Sequence, residues 1–461
     1  MNAADTYGAI CLIPIAVIIV LSLITKKTFE PLLISVIVAV VIYAKGDFLG
    51  EFVNLLLKEM ADPTIGWVIL VCGLMGALLF ILEKSNAASA FADLLGRFAT
   101  TRKRALFATW FLGICLFIDD YLNVLTVGNT MKKVTDKHNI SRSMLAYSVG
   151  STAAPIVILV PISTWAIFFA SLLANEGIVG ADGTAVGAYI QCLPYLFYGW
   201  ICVFIVLPLV ILGIIPLVGP MRSQELHARE TGDLFPPGVE PPEAEAEQAV
   251  EEGKKQGGIW DFILPLAVLI AVTVAVGNDV LTGVIVALVF TAIWYAARRL
   301  ANLTALVEQF WSGFSTMIQV FGLLVLAFAF KDACANLGFI DYVIEKVEPI
   351  MSGSLLPAVV FAATAVMAFA MANFWGLAAI VVPIAAALAG AMDVNIYMVC
   401  AAVFCGAAFG SHACFYADAA ILIGKATDIR PYDHAITQLP YALLSAVLTV
   451  ILFLICGFTQ A

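Results

Sequence analysis

Charge is what this sequence has least of. Only 12% of its 461 residues are Asp, Glu, Lys or Arg, against 62% hydrophobic, and a soluble domain of this length cannot build a surface from so few charges. No basic patch of the kind that grips nucleic acid is present, so nucleic acid is excluded as a partner. The ten cysteines form no CxxC pair and no Cys/His cluster; scattered through apolar runs, they read as small core hydrophobes rather than redox or metal groups. HExxH and GxSxG are missing too, which argues against zinc or serine enzyme chemistry, and no cofactor is implied. The first apolar run ends in Lys26 and Lys27, the charge order of an ordinary span rather than a cleaved signal. What remains is an all-α polytopic membrane protein with the lipid bilayer as its first partner. The sequence leaves the oligomeric state open, a homodimer included.

Apolar runs of spanning or near-spanning length fall at 7–24, 29–44, 64–82, 191–219, 259–277, 280–297, 312–330 and 436–457, with two longer, interrupted regions between them. The first interrupted region holds adjacent carboxylates, Asp119 and Asp120, inside the run 105–131. Charge in hydrocarbon costs several kcal/mol, so the pair should face a wet, protein-lined site. Downstream, 143–174 is broken by Pro155, Pro161 and small hydroxyl residues, and irregular backbone at membrane depth is tolerated only where protein or a cavity surrounds it. Asp119, Asp120, Asn123, Ser151 and Thr152 therefore read as two sides of one ion-binding site.

Lys and Arg set the sides. Lys84, Arg97, Arg102, Lys103 and Arg104 precede 105–131, and Lys132, Lys133, Lys137 and Arg142 follow it. Both flanks belong in the cytoplasm by the positive-inside rule, so the run between them is expected to be a re-entrant hairpin. The insert 220–258 then falls on the cytoplasmic side. It holds nine acidic residues, and its Pro, Glu and Gly content is that of a flexible linker. After it the same order of elements returns, with a hairpin at 355–390 flanked mainly by acids and a broken helix at 395–424. Residues 1–219 and 259–461 are thus expected to form an inverted-topology repeat of about five spans and one hairpin each, an architecture secondary transporters use to place ions and substrate between discontinuous helices. Asn373, Ser411, His412 and Asp418 are the polar residues of the second half-site, and His412 is the one histidine placed inside the membrane. Lys331 and Asp332 read as an ordinary ion pair at the outer interface.

The run FIDDYLNVLTVGNTMKKVTDKHNISRSMLAYSVGSTAAPIVILVPISTW, together with GAAFGSHACFYADAAIL and HAITQLPYALL, resembles the NhaC family of sodium/proton antiporters. The resemblance implies the inverted-repeat fold of the wider ion transporter superfamily, location in the inner membrane, and sodium at Asp119, Asp120, Asn123 and Thr152. The second half departs from the pattern: Ser411 stands where members carry Asp, Ala419 and Ala420 follow Asp418 where hydroxyls are usual, and the hairpin tip reads Asn373, Phe374, Trp375, Gly376. The function expected is sodium/proton antiport on paired carboxylates. The alternative is sodium-coupled transport of a small organic solute, an amino acid or carboxylate, with the rewritten half-site as its pocket.

Overall fold

The computed structural model describes residues 7–25, 29–85, 98–236, 257–277, 279–339, 351–371, 374–415 and 417–459, and isolated residues within 86–97 and 340–350. Among them there is no β-strand. Among the described residues, seven helices are long and apolar enough to cross a bilayer, eight if the pair Ala185–Tyr195 and Phe197–Leu212, bent by 54°, is one span. The sequence leads to ten. Part of the difference lies in Gly8–Ile18, Phe29–Ala44, Thr164–Asn175 and Ile259–Ala275, which are apolar but shorter.

In chain order the helices are α1 (Ile13–Thr25), α2 (Phe29–Ala44), α3 (Phe48–Met60), α4 (Pro63–Lys84), α5 (Arg102–Cys115), α6 (Asp120–Asp136), α7 (Arg142–Ser151), α8 (Ala154–Val157), α9 (Thr164–Asn175), α10 (Ala185–Cys192), α11 (Phe197–Ile201), α12 (Leu207–Leu212) and α13 (Gly219–Thr231). Beyond residue 256 they are α14 (Ile259–Ala275), α15 (Val280–Ala297), α16 (Leu303–Ser315), α17 (Ile318–Asn336), α18 (Leu356–Met371), α19 (Phe374–Ala391), α20 (Ile396–Ala413), α21 (Asp418–Thr427) and α22 (Pro431–Thr459).

Two groups of helices result. The opening helices of each half, α1 to α4 and α14 to α17, pack on one another. α4 and α16 cross on glycine: a Cβ on Gly76 would lie 2.7 Å from the Gly313 carbonyl, so only glycine permits that approach. The other group holds both interrupted regions, and α9 on α4 and α19 on α17 join it to the first. The arms of the first hairpin, α5 and α6, have 14 and 17 residues. At ~1.5 Å per residue they run about 21 and 26 Å, short of the ~30 Å of a hydrocarbon core.

The first part of the insert is not loose. Met221, Gln224, Glu225 and Ala228 are buried along one face of α13, the i, i+3, i+4, i+7 spacing of an amphipathic helix. Glu225 pairs with Arg102 and Arg229 and accepts the Ser141 N–H at 3.1 Å. Gln224 accepts the Ser143 hydroxyl. The expected flexible linker is therefore shorter than 220–258: its start is a helix fastened to the bases of α5 and α7, while 237–256 lie outside the described residues. Lys331 and Asp332 are not paired with each other either. Lys331 reaches Glu176 at 2.7 Å, and Asp332 pairs with Lys58 of α3.

Candidate functional site

The site begins with a cap. Asp119 is the N-cap of α6, and its Oδ1 accepts the N–H groups of Tyr121 and Leu122, each at 3.0 Å. An Asp here satisfies donors that the first helical turn leaves orphaned. Its Oδ2 accepts the Thr164 hydroxyl at 3.1 Å, tying the hairpin to the start of α9. Asp120 turns the other way. Its Oδ1 accepts the Trp165 indole N–H at 3.1 Å, and Asp119 and Asp418 are its charged neighbours. Both carboxylates are buried.

Asp418 opens α21 as Asp120 opens α6. Tyr121 donates its hydroxyl to Asp418, Gly128 lies against Ala426, and Lys132 pairs with Asp428 at 2.9 Å. In that order of contacts the two helices run parallel, from neighbouring N-termini in the middle of the molecule to a basic end that also carries Arg142. Two helix N-termini side by side make a positive field. Asp119, Asp120 and Asp418 occupy it.

Facing these N-termini are helix C-termini. Asn123, fully buried, donates its Nδ2 to the carbonyls of Gly113 (2.6 Å), Leu116 (3.2 Å) and Thr152 (2.8 Å). Gly113 and Leu116 close α5, and Thr152 caps α7. One side chain thus gathers three oxygens from two helix ends, where the dipole is negative and cations are favoured. Its own Oδ1 is buried with no hydrogen-bond partner. Gly113 is required there, because a Cβ would overlap the Thr152 side chain.

The other polar residues form a second cluster. His412 Nδ1 meets the Tyr198 hydroxyl at 2.7 Å, its Nε2 meets Ser151 Oγ at 3.3 Å, and its carbonyl accepts Gln438 Nε2. Cys202 Sγ donates to the Ser151 carbonyl at 3.8 Å. Ser411 is buried with its hydroxyl unpartnered.

The grouping by chain halves is therefore crossed. Ser151 of the first half meets His412 of the second, and Asp418 of the second meets Tyr121 of the first. Asp418 is exposed rather than buried, and Asn373 lies outside the described residues. The neighbouring Phe374 and Trp375 pack their rings on Trp165, at 6.1 and 5.1 Å between centroids. The start of α19 so rests on the indole that holds Asp120. Trp165, Thr164, Tyr121 and Tyr198 join the site without having been singled out, although the quoted signature ends on Thr164 and Trp165. A second histidine, His434, is also fully buried.

Buried carboxylates at a helix start, beside a helix interrupted after Ser151, suit a membrane transporter. The comparisons narrow this. Residues 183–458 match the Na+/H+ antiporter family, and the chain belongs to that family. It is 26% identical over 490 residues to an uncharacterised protein of Haemophilus influenzae, a match covering 98% of this chain and 91% of that one. Among solved structures it resembles the YdaH transporter of Alcanivorax borkumensis, reported for its unusual topology (TM-score 0.63, 15% identity, 90% of each chain). It also resembles MtrF of Neisseria gonorrhoeae, described with a class of antimetabolite efflux pumps (TM-score 0.55, 15% identity, 90% of this chain and 86% of that one). At such identity the likeness is one of fold.

Proposed function

We propose that this membrane transporter exchanges sodium for protons at Asp119 and Asp120, with Asn123 and the Ser151–Thr152 break completing the cation site. The observation that carries the reading is a pair of adjacent buried carboxylates at the start of α6, one turn before a buried Asn123 whose Nδ2 gathers three helix-end carbonyls and whose Oδ1 bonds nothing. Sodium prefers such hard oxygen donors. Two carboxylates this close in a low-dielectric site cannot both ionise cheaply, so one keeps a proton until a cation replaces it. Exchange then follows from mutual exclusion, provided only a loaded site crosses between faces.

The basic end of the molecule, with Lys132, Arg142 and the α13 clasp, is cytoplasmic in this reading, because short Lys/Arg-rich segments stay inside. The two halves act as inverted repeats in the inner membrane, their breaks crossing where Ser151 meets His412.

A sodium-coupled organic carrier is the second reading. The buried, unpartnered Ser411 hydroxyl favours it, and MtrF, of similar fold, is described as an efflux pump. Against it, both ring nitrogens of His412 already have partners. The test is purified protein in liposomes, with sodium and proton gradients imposed separately. Sodium uptake driven by an acidic interior, with no added solute, is the expected result; uptake that needs an amino acid or carboxylate would replace antiport with the carrier.

A further inference from the structure

His434 sits in the first turn of α22, fully buried, and neither of its ring nitrogens has a hydrogen-bond partner. Beside it Gln438 Oε1 is likewise buried and unpartnered. The two side chains converge on Gly150 of α7, the residue before Ser151: a Cβ there would lie 2.8 Å from Gln438 Oε1 and 3.3 Å from His434 Cε1. Leaving such groups unmet is costly, and natural interiors seldom do so without a reason in function.

The surroundings narrow what this place holds. Packing beside Gly150 is close, since a Cβ there would crowd both Gln438 Oε1 and His434 Cε1, so a ligand of one atom suits the place better than an organic solute. Sodium is a poor match, because an imidazole and one amide oxygen are not the hard oxygen shell it prefers. A proton fits: neutral imidazole has one nitrogen to accept it, and Gln438 Oε1 can take a hydrogen bond from the imidazolium that results.

We infer that His434 is a second proton-binding site of the transport cycle, apart from the paired carboxylates, loaded from the basic end and emptied when sodium binds. This rests on the sodium/proton reading. The site is one turn from that end: His434 N–H donates to the Arg430 carbonyl at 3.1 Å, and Arg430 pairs with Asp433 at 2.5 Å with its own side chain 63% exposed. On the inner side, Gln438 donates to the carbonyl of His412, and His412 meets Ser151 at the break. The titratable and charged groups on the elements packed around it include Arg142 and Tyr147 on α7, His412 on α20, Asp418, Lys425 and Asp428 on and after α21, Glu225 on α13, and Arg430 and Asp433 on its own approach. Asp433 is held by Arg430, Asp428 by Lys132 and Glu225 by Arg102, so these carboxylates are engaged elsewhere.

The experiment counts protons. Sodium is added to purified wild-type protein and to His434→Gln in weakly buffered detergent, at a series of pH values from about 5 to 8, across the titration of an ordinary imidazole. The variant should release about one proton fewer per chain than the wild type. Release that is unchanged in the variant overturns the proposal and leaves the exchange reading standing. No release from wild type overturns the exchange reading, and the proposal with it. Should His434→Gln not fold, Gly150→Ala keeps the imidazole and crowds it; a shifted pH midpoint of release is then expected, and an unmoved one overturns the proposal.

Discussion

At the residue scale, Asp119 and Asp120 do different work although they are neighbours. Asp119 is a helix cap as well as a charge, so its substitutions separate the two roles. Asn also caps well, whereas Ala loses about 0.5–2 kcal/mol. Asp119→Asn should melt close to wild type while its sodium transport changes its pH dependence; Asp119→Ala should lose stability as well. Asp120, held by one indole N–H, should fold normally as Asn and lose sodium-dependent transport altogether. Thermal melts beside sodium flux separate these outcomes. Asn123 is the residue whose role the sequence conveyed least. A polar side chain in an apolar run is visible in any reading, but its grip on three carbonyls depends on where two helices end. Asn123→Ala strands those carbonyls, at ~1–3 kcal/mol for each left unmet, and should be the least stable of the four. His434 escaped notice because it follows the charged Arg430–Asp433 turn, where a surface histidine would look the same.

At the element scale, apolar runs made most helices legible, since that signal is local. The crossing of the halves was not. Which helix N-terminus lies beside which is settled by packing, as with Gly128 against Ala426, where an added Cβ would stand 2.6 Å from the alanine methyl. Gly128→Val should push α6 from α21, separate Tyr121 from Asp418, and abolish transport while leaving membrane insertion intact; a cysteine pair across the two helices would report the separation. α13 was hidden by composition: Pro and Glu dominate the insert, and the buried face at 221, 224, 225 and 228 is short. Removing one partner of a buried ion pair costs ~3–5 kcal/mol. Glu225→Ala should therefore loosen α13 from Arg102 and Ser141, raising protease cleavage before residue 232 well ahead of any global melting.

At the scale of the whole molecule, α3 is a place within the first group of helices, against α17, where charge matters outside the apolar spans. Burial first, and then the Asp332 carboxylate, raise Glu59 from its ordinary 4.5 to about 7. The folded protein keeps this proton where the unfolded chain has lost it, so stability should fall as pH rises from about 4.5 to about 7 and level off above. Glu59→Gln should remove that slope and melt higher than wild type at alkaline pH. The central claim, that sodium and a proton compete for the paired carboxylates, has a more direct test. Sodium that binds only the folded protein raises its stability by RT ln(1 + [L]/Kd), so melts at graded sodium yield an apparent Kd at each pH. Each competing proton should raise that Kd about tenfold for each unit the pH falls below its own pKa, and Asp120→Asn should make the dependence shallower. A sodium Kd that stays constant with pH in the wild type, or a slope unchanged in Asp120→Asn, would contradict it.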